Sequence, residues 1–351
     1  MSGREALIPN RLKYLAVAGL LAVVVWLLVM RVCERGFDWG LLARTLLGVH
    51  WGWLGAAVGF VLLTYYGRVL RWSVMIRPIC PHPSHWRLFS ATAIGFTALV
   101  FFGRPGELLR PYLIARNENL PFSSQMAAWL LERVYDLLAV VLIFGFALTR
   151  IPQNASLGPA LQWALEIGGH AVWILALVCV GVLFVLRQYS GFARRRITEA
   201  LEFLPAAQHQ KVSQFVDSFV RGIEATRSTR AAFLLLFYTV VEWLLIGVCY
   251  YCLFKAFPAT AGRGWMDVLA FMGLVAFGSI VQLPGIGGGM QVVAVITLTE
   301  LLGTPLEAAT GIALALWIIT FVVIMPVGLL FACYEGLSWR KIKELEKEVA
   351  L

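Results

Sequence analysis

Charge is the scarcest property of this sequence. Only 14% of its 351 residues are Asp, Glu, Lys or Arg, whereas apolar residue types make up 60%, and the mean hydropathy is +0.79. In a soluble domain about one quarter of the residues are charged and about one half are apolar. The composition therefore excludes a soluble enzyme and a DNA-binding domain, and it indicates an integral membrane protein.

Paired cysteines are scarce as well. The six cysteines lie mostly in apolar runs, and only Cys249-x-x-Cys252 shows a close spacing, inside a hydrophobic segment. We interpret them as small buried apolar residues rather than as a disulfide framework or metal ligands. The sequence also has no zinc motif, nucleophile elbow or paired-carboxylate hydrolase spacing, so it predicts no cofactor and no metal site.

Long apolar runs dominate what is present. About 20 apolar residues are needed for a helix to cross a ~30 Å hydrocarbon core. Six runs meet or approach this length and a seventh is borderline. The six are 14–30, 46–66, 126–149, 167–186, 231–254 and 306–334, and the borderline run is 266–283.

Two pairs of shorter apolar segments are predicted to form re-entrant hairpins. The run 88–103 has 16 residues, which reach only about 24 Å at ~1.5 Å per residue, and its return limb is 107–115. The runs 266–283 and 290–302 form the second hairpin. Irregular backbone at this depth requires cover by protein or a water-filled cavity. The predicted fold is an all-α polytopic membrane protein with about six transmembrane helices plus two re-entrant hairpins, or eight crossings as the alternative.

Basic residues predict the orientation. With both hairpins re-entrant, 19 of the 29 Lys and Arg fall on the side of the two termini and six on the other side. Short loops rich in Lys and Arg stay cytoplasmic. Both termini are therefore predicted to be cytoplasmic, in the inner membrane of a prokaryote, and topology accounts for most of the formal charge of +9 without any nucleic acid partner.

The chain is predicted to form one membrane domain, 1–351, with a polar insertion. Apolar residues recur with a 3.6-residue period within 191–230, which predicts an amphipathic cytoplasmic arm on the membrane surface or against other loops. The flanking segments 46–149 and 231–334 each place a hairpin between two helices, in opposite directions. Such an inverted repeat, with Gly/Pro-interrupted segments in both halves, points to a transporter with a central site.

Several charged residues are predicted to lie at membrane depth. Each costs about 2.5–3.5 kcal/mol on insertion scales, so each must face protein or water. On one helix, Arg133 can neutralise Asp136 at i, i+3, which leaves Glu132 for Arg104 or Arg110 of the first hairpin. Purely structural ion pairs and a site for an anionic head group are both open interpretations.

The first hairpin and helix 231–254 supply further candidates. The planar fork of an arginine suits a phosphate diester, so Arg104 and Arg110 are predicted to bind an anionic head group, with Glu107 orienting them. Glu242 has no cation within a helical turn and is the candidate for proton coupling.

A glycine-rich run precedes 290–302. Gly285, Gly287 and Gly288 follow Pro284, and backbone N–H groups at a helix start favour an anion. A hinge or a close packing contact is the other interpretation. No Lys-Ser/Thr pair follows, so a P-loop is rejected.

Four motifs resemble one family. They are Arg71-Trp72, Gly103-Arg104-Pro105-Gly106-Glu107-Leu108-Leu109-Arg110-Pro111, Leu131-Glu132-Arg133-Val134-Tyr135-Asp136 and Leu283-Pro284-Gly285-Ile286-Gly287-Gly288. Across about 10–335 the chain resembles the lysylphosphatidylglycerol synthase transmembrane, or flippase-like, family of bacterial and archaeal proteins. The resemblance implies a polytopic lipid translocase. Because about 17 residues follow the last predicted helix, we expect a stand-alone membrane domain without the aminoacyl-transfer domain.

The sequence departs from the family pattern in its second half. The family commonly has a Glu after the Pro-Gly-Gly stretch and an Arg in the last helix, where this chain has Gln291 and Trp317. The second-half ion pair is therefore missing, and more of the function is expected to depend on the charges of the first half and on Glu242. Gln291 joins Pro284 and the glycines as a predicted substrate contact.

The predicted function is translocation of an anionic lipid across the cytoplasmic membrane. The lipid would be a phospholipid, an aminoacylated phosphatidylglycerol or a polyprenyl phosphate, with its head group held by Arg104, Arg110 and Arg133. The energy source would be the proton gradient, through Glu242 or Glu132, or the protein would be a scramblase.

Two other functions stay open at this point. One is a membrane-embedded transferase for a lipid-linked substrate, with Glu107 or Asp136 as general base. The other is an accessory protein that recruits a partner through 191–230. Membrane lipids are the expected surroundings in every case, and a homo-oligomer is possible.

Overall fold

The computed structural model describes residues 36–148, 174–181, 213, 217–218, 220, 228–279, 282–283 and 287–336. The predicted helix 14–30 therefore lies outside the described residues. So do most of 167–186, nearly all of the arm 191–230, and the tip residues Pro284 and Gly285.

Helices make up nearly all of the described part. In chain order they are α1 (Trp39–Leu47), α2 (Trp51–Ile76), α3 (His85–Phe102), α4 (Leu109–Asn117), α5 (Phe122–Leu148), α6 (Thr229–Ala256), α7 (Trp265–Gly278), α8 (Gly289–Ile296), α9 (Leu306–Trp317) and α10 (Met325–Tyr334). Residues 174–181 are also helical. A 3₁₀ turn at Arg104–Leu108 joins α3 to α4, and π turns at Thr297–Leu301 and Ile318–Val322 follow α8 and α9.

The short connection before α8 contains the described strands. β1 (Gln282–Leu283) pairs with β2 (Gly287–Gly288) in antiparallel register, with Gln282 opposite Gly288 and Leu283 opposite Gly287. This ladder holds the two ends of the predicted second tip together.

Four described helical stretches are long and apolar enough to cross a membrane by length and composition. They are α2, α3, α6 and the stretch Leu306–Tyr334. The 27-residue α5 is of similar length but carries Glu132, Arg133 and Asp136. These helices confirm the prediction of an all-helical, multi-pass membrane protein.

The end of α2 differs from the predicted end of its apolar run. The helix continues to Ile76, ten residues beyond the end predicted from 46–66. Arg68 and Arg71 therefore lie within the helix, and the side chain of Arg71 is 1% exposed. The 19 basic residues counted on the side of the termini include both of them as loop residues. Their placement in a loop was wrong, because carboxylates on other helices compensate their charges and allow the helix to continue through them.

The first helix of the predicted hairpin is longer than expected. α3 begins at His85, where the Ser84 hydroxyl accepts the backbone N–H of Arg87 and caps the helix. With 18 residues it is among the four stretches long enough to cross, so the length argument for a re-entrant limb does not hold. The re-entrant hairpin stays a prediction.

Each predicted hairpin packs against a helix of the other half of the chain. α3 packs on α10, α7 packs on α5, and α2 packs along α6. The main apolar core lies around Phe254, Phe257 and Phe271, and a second one surrounds Trp72. The inverted repeat of 46–149 and 231–334 stays a prediction.

The contact between α3 and α10 depends on a glycine. A β-carbon on Gly328 would overlap the Thr97 hydroxyl and the backbone carbonyl of Ala93. We expect Gly328→Ala to lower stability by about 1–3 kcal/mol through overpacking, measured as thermal unfolding of the purified protein in detergent. Gly59→Ala is the control, because a β-carbon there meets no atom within 4 Å. Equal stability of the two variants would contradict the close packing.

Candidate functional site

A cluster of charged side chains is buried where α2, α5 and α6 meet, and Arg71 is at its centre. The Arg71 guanidinium lies 2.6 Å from Glu132, 2.6 Å from Asp136 and 3.3 Å from Glu242. It also donates a 3.3 Å hydrogen bond to the Thr239 hydroxyl. Three carboxylates from two helices thus offset the cost of removing one guanidinium from water.

Glu132 connects this centre to the first hairpin. Its carboxylate accepts hydrogen bonds of 3.0 and 3.2 Å from Arg110, one of the partners that the sequence predicted. Arg110 also donates to the backbone carbonyl of Arg68, and its guanidinium lies 4.2 Å from the centre of the Trp72 ring. In turn the Trp72 indole N–H donates to Gln125. These contacts with a carboxylate, a backbone carbonyl and an indole ring hold the Arg110 guanidinium in place.

Glu242 has cationic partners on another helix. Its carboxylate lies 2.8 Å from Arg68 and 3.3 Å from Arg71, and its side chain is 1% exposed. The prediction that Glu242 stands without a cation was therefore wrong. It was based on neighbours along α6, whereas both arginines belong to α2, which packs along α6.

The first hairpin tip connects to the same cluster through Arg133. Arg133 lies 3.2 Å from Asp136, as their i, i+3 spacing predicted, and it forms an ion pair with Glu107. Arg104 approaches the other oxygen of Glu107 at 3.3 Å. A second nitrogen of Arg104 donates a 2.6 Å hydrogen bond to the backbone carbonyl of Ser279. Ser279 is the C-cap residue that follows α7, a position where the helix dipole favours a cation. Arg104 therefore joins the two predicted hairpins.

The tip itself is tightly folded back. A β-carbon on Gly106 would overlap the backbone carbonyl of Ala98, so the Pro105-Gly106 turn lies directly on α3. This contact fixes the backbone on which Arg104 and Glu107 stand, and it explains why the tip requires a residue without a side chain.

A cavity of about 170 Å³ lies beside this tip. Its polar wall includes Arg68, Arg104, Glu107 and Arg133. The rest is largely apolar, with aromatic and thioether side chains from both halves of the chain: Phe96, Trp243, Tyr250, Met272, Met290 and Phe321. The combination of a cationic wall and an apolar wall suits an amphiphile with an anionic head.

The structure divides the predicted site residues into two groups. Arg104, Glu107 and Arg133 line the cavity. A second group of predicted site residues belongs to the buried cluster behind the wall. Its members are Arg110, Glu132, Asp136 and Glu242. The head-group contact of Arg110 stays a prediction, and in the described structure its guanidinium is bound to Glu132 and stacked on an indole ring.

The glycine-rich run has a local role in the described structure. The Gly288 N–H donates a 2.6 Å hydrogen bond to the side-chain oxygen of Gln291, so Gln291 caps α8. Gly287 pairs with Leu283 in the strand ladder. Gly287, Gly288 and Gln291 are not among the described residues that line the cavity, whereas the neighbouring Met290 is. Their predicted substrate contacts stay predictions beside these local roles.

A family model decides the relationship of this chain to known proteins. The model for the lysylphosphatidylglycerol synthase TM region matches residues 14–328. The chain belongs to this family. The match runs from the first predicted crossing helix into α10, so it includes both the cavity and the buried cluster.

A curated relative adds a more distant similarity. The chain is 26% identical over 197 residues to a protein named glycosyltransferase AglD, from Haloferax volcanii. The match covers 51% of this chain but only 32% of that protein, so the chain spans about a third of the relative's length. No solved structure matches the chain.

Sequence reasoning missed Arg68 as a site residue and treated Arg71 only as part of a family motif. A signal was available in the apolar residues that continue from Val69 to Ile76 on both sides of Arg71. Tyr65, one turn before Arg68, also lines the cavity and donates a 2.5 Å hydrogen bond to the backbone carbonyl of Thr320 in a π turn. Such turns are frequent at functional sites.

Proposed function

We propose that this protein moves an anionic lipid between the leaflets of the cytoplasmic membrane, as a flippase-like translocator. The observation that carries the proposal is the cavity in which three arginines face a largely apolar wall. A charged head group is costly in hydrocarbon, and arginine forks can replace part of its hydration. The lipid tails would stay in contact with the apolar side chains of the opposite wall.

The contacts of Arg104 suggest how binding and movement are connected. Arg104 holds Glu107 and the end of α7 together through one guanidinium. An anionic head group competes with both of these acceptors. Its binding therefore weakens the contact between the two predicted hairpins, and rocking of the hairpins alternates access to the cavity.

Vesicles reconstituted with the purified chain test the translocation. Fluorescent phosphatidylglycerol is placed in both leaflets, and a membrane-impermeant quencher reports the fraction that becomes accessible. We expect the protein to add accessible lipid beyond the outer-leaflet fraction seen in protein-free vesicles. Arg104→Gln is expected to slow the added phase several-fold. The absence of a protein-dependent phase for any lipid tested would contradict the proposal.

The same vesicles address the energy source. Glu242 stays the proposed proton-coupling residue, although two arginines bind its carboxylate. A coupled flippase responds to an imposed pH gradient, and Glu242→Gln removes that response. A scramblase transports equally with and without the gradient.

A transferase for a lipid-linked substrate is the second candidate. It is favoured by the similarity to the relative named glycosyltransferase AglD. Glu107 or Asp136 would be the general base, but each already binds two arginines. Two cationic partners stabilise the ionised form of each carboxylate and so make it a weaker base. Mass analysis of lipids from overexpressing and deletion strains decides between the two: a transferase yields a new covalent species, and a translocator changes only the leaflet distribution.

A further inference from the structure

The wall of the cavity carries more positive than negative charge. Arg68, Arg104 and Arg133 line it, and Glu107 is the one carboxylate among the described lining residues. Glu107 is shared between Arg104 and Arg133, so it neutralises at most one of the three guanidiniums. A head group that enters the cavity therefore meets an electropositive wall.

The whole ion-pair network also contains more arginines than carboxylates. Within the part of the chain that the structure describes, it joins five arginines to four carboxylates, which leaves one positive charge. The arginines are Arg68, Arg71, Arg104, Arg110 and Arg133, and the carboxylates are Glu107, Glu132, Asp136 and Glu242. A single negative charge on a ligand makes the loaded site neutral, whereas a cationic head group doubles an excess that the low-dielectric surroundings already oppose.

Arg68 is the point at which this excess meets the cavity. Its carboxylate partner Glu242 is shared with the deeper Arg71. The guanidinium lies 5.0 Å from the centre of the Phe96 ring, and its Nε–H has no hydrogen-bond partner among the described side chains and backbone groups. The indole N–H of Trp243, another lining residue, has none either. Arg68 thus brings a guanidinium to the wall, a group that matches phosphate oxygens.

The wall is poorly suited to an ammonium group. Its carboxylate, Glu107, is engaged by two arginines. An aromatic face can also hold an ammonium, but Arg68 occupies the Phe96 ring. A positive head group placed beside Trp243 or Tyr250 would share the cavity with three guanidiniums.

We propose that the cavity selects lipid head groups that carry one net negative charge and no ammonium group, and that Arg68 determines this selectivity. The inference rests on the proposed function, because it names the substrate class of the same site. It retains phosphatidylglycerol and a singly charged polyprenyl phosphate as substrates. It excludes aminoacylated phosphatidylglycerol, one of the three lipids that the sequence left open.

Binding to the full-length chain tests the charge rule separately from transport. Native mass spectrometry in detergent compares three lipids with matched acyl chains: phosphatidylglycerol, phosphatidylethanolamine and lysyl-phosphatidylglycerol. We expect phosphatidylglycerol to bind at least about ten-fold more tightly than the other two, since like charges brought together are strongly disfavoured. Inorganic phosphate and glycerol 3-phosphate, added as competitors, should displace the lipid only weakly.

Variants of Arg68 identify the source of the preference. Arg68→Gln should reduce it to within about three-fold, and Arg68→Lys should keep most of it because the charge is retained. Arg44→Gln is the matched control, since Arg44 is 73% exposed and pairs with Asp38 on the surface. It should bind all three lipids as the wild type does.

The outcomes separate the two proposals. Equal or tighter binding of lysyl-phosphatidylglycerol by the wild type overturns the charge rule, and so does a folded Arg68→Gln protein with an unchanged preference. Displacement by inorganic phosphate at lipid-like concentrations assigns the cavity to a soluble anion instead. If Arg68→Gln does not fold, the wild-type ranking and Arg68→Lys decide. Selective binding without transport contradicts translocation alone, and transport without charge preference contradicts selectivity alone.

Discussion

Replacing Arg71 with Gln should destabilise the protein by about 3–5 kcal/mol or prevent its folding, which is the range for removing one partner of a buried ion pair. Arg71 faces Glu132, Asp136 and Glu242 at 2.6 to 3.3 Å. Without the guanidinium, three carboxylates remain close together with fewer cations to offset their repulsion. Thermal unfolding and the monodisperse fraction on size-exclusion chromatography measure the effect.

Arg77 supplies the matched control for Arg71. It follows the last residue of the same helix and is exposed, so Arg77→Gln should change stability by no more than about 0.5 kcal/mol. Equal stability of Arg71→Gln and Arg77→Gln would contradict the buried cluster.

Adding Glu132→Gln to the Arg71 variant tests whether the effect is electrostatic. Glu132→Gln removes one of the carboxylate charges that repel each other once Arg71 is gone. The double variant should therefore be more stable than the sum of the stability losses of the two single variants predicts. Simple additivity would mean that lost packing, rather than uncompensated charge, causes the destabilisation.

Replacing Arg133 with Gln should lower the rate of lipid transport at least about ten-fold, which corresponds to about 1.4 kcal/mol. Arg133 lines the cavity and also bridges Glu107 and Asp136. It is the link between the proposed lipid-binding wall and the cluster behind it. Because its side chain is 29% exposed, the fold should tolerate its loss better than the loss of Arg71.

The experiment compares initial rates in vesicles that contain equal amounts of folded protein. Arg116→Gln, an exposed arginine at the end of α4, is the control and should transport at the wild-type rate. A folded Arg133→Gln protein that transports normally would remove this wall from the proposed site.

Arg110→Ala and Glu132→Gln should lose transport together with stability, because both residues lie in the buried cluster.

Local sequence signals predicted part of the site correctly. The spacing of Arg133 and Asp136 indicated their ion pair, and the charge left on Glu132 indicated a partner such as Arg110 in the first hairpin. Both inferences use the helix period and the cost of an unpaired charge in hydrocarbon. They succeeded because one contact is within a helix and the other has few possible partners.

Contacts between distant helices were not predictable in the same way. Arg68 and Glu242 are 174 positions apart in the sequence but 2.8 Å apart in the fold. The sequence of α6 contains no signal for the arginines that α2 contributes, so no cation was predicted beside Glu242. The end of α2 was misplaced for the same reason, since a charged residue ends an apolar run only when no partner compensates it.

By itself, the sequence determined that this is a helical membrane protein. Only 14% of its residues are charged and 60% are apolar, and continuous apolar runs of about 20 residues cross lipid as helices, which satisfy their own backbone hydrogen bonds. It also determined that the few charges at depth must be compensated. Only the tertiary structure decided which charges meet, which of them reach the cavity, and that the ion-pair network among the described residues has one more arginine than carboxylates. Ion pairing at a few ångströms depends on how helices pack, and helix packing depends on side chains throughout the chain.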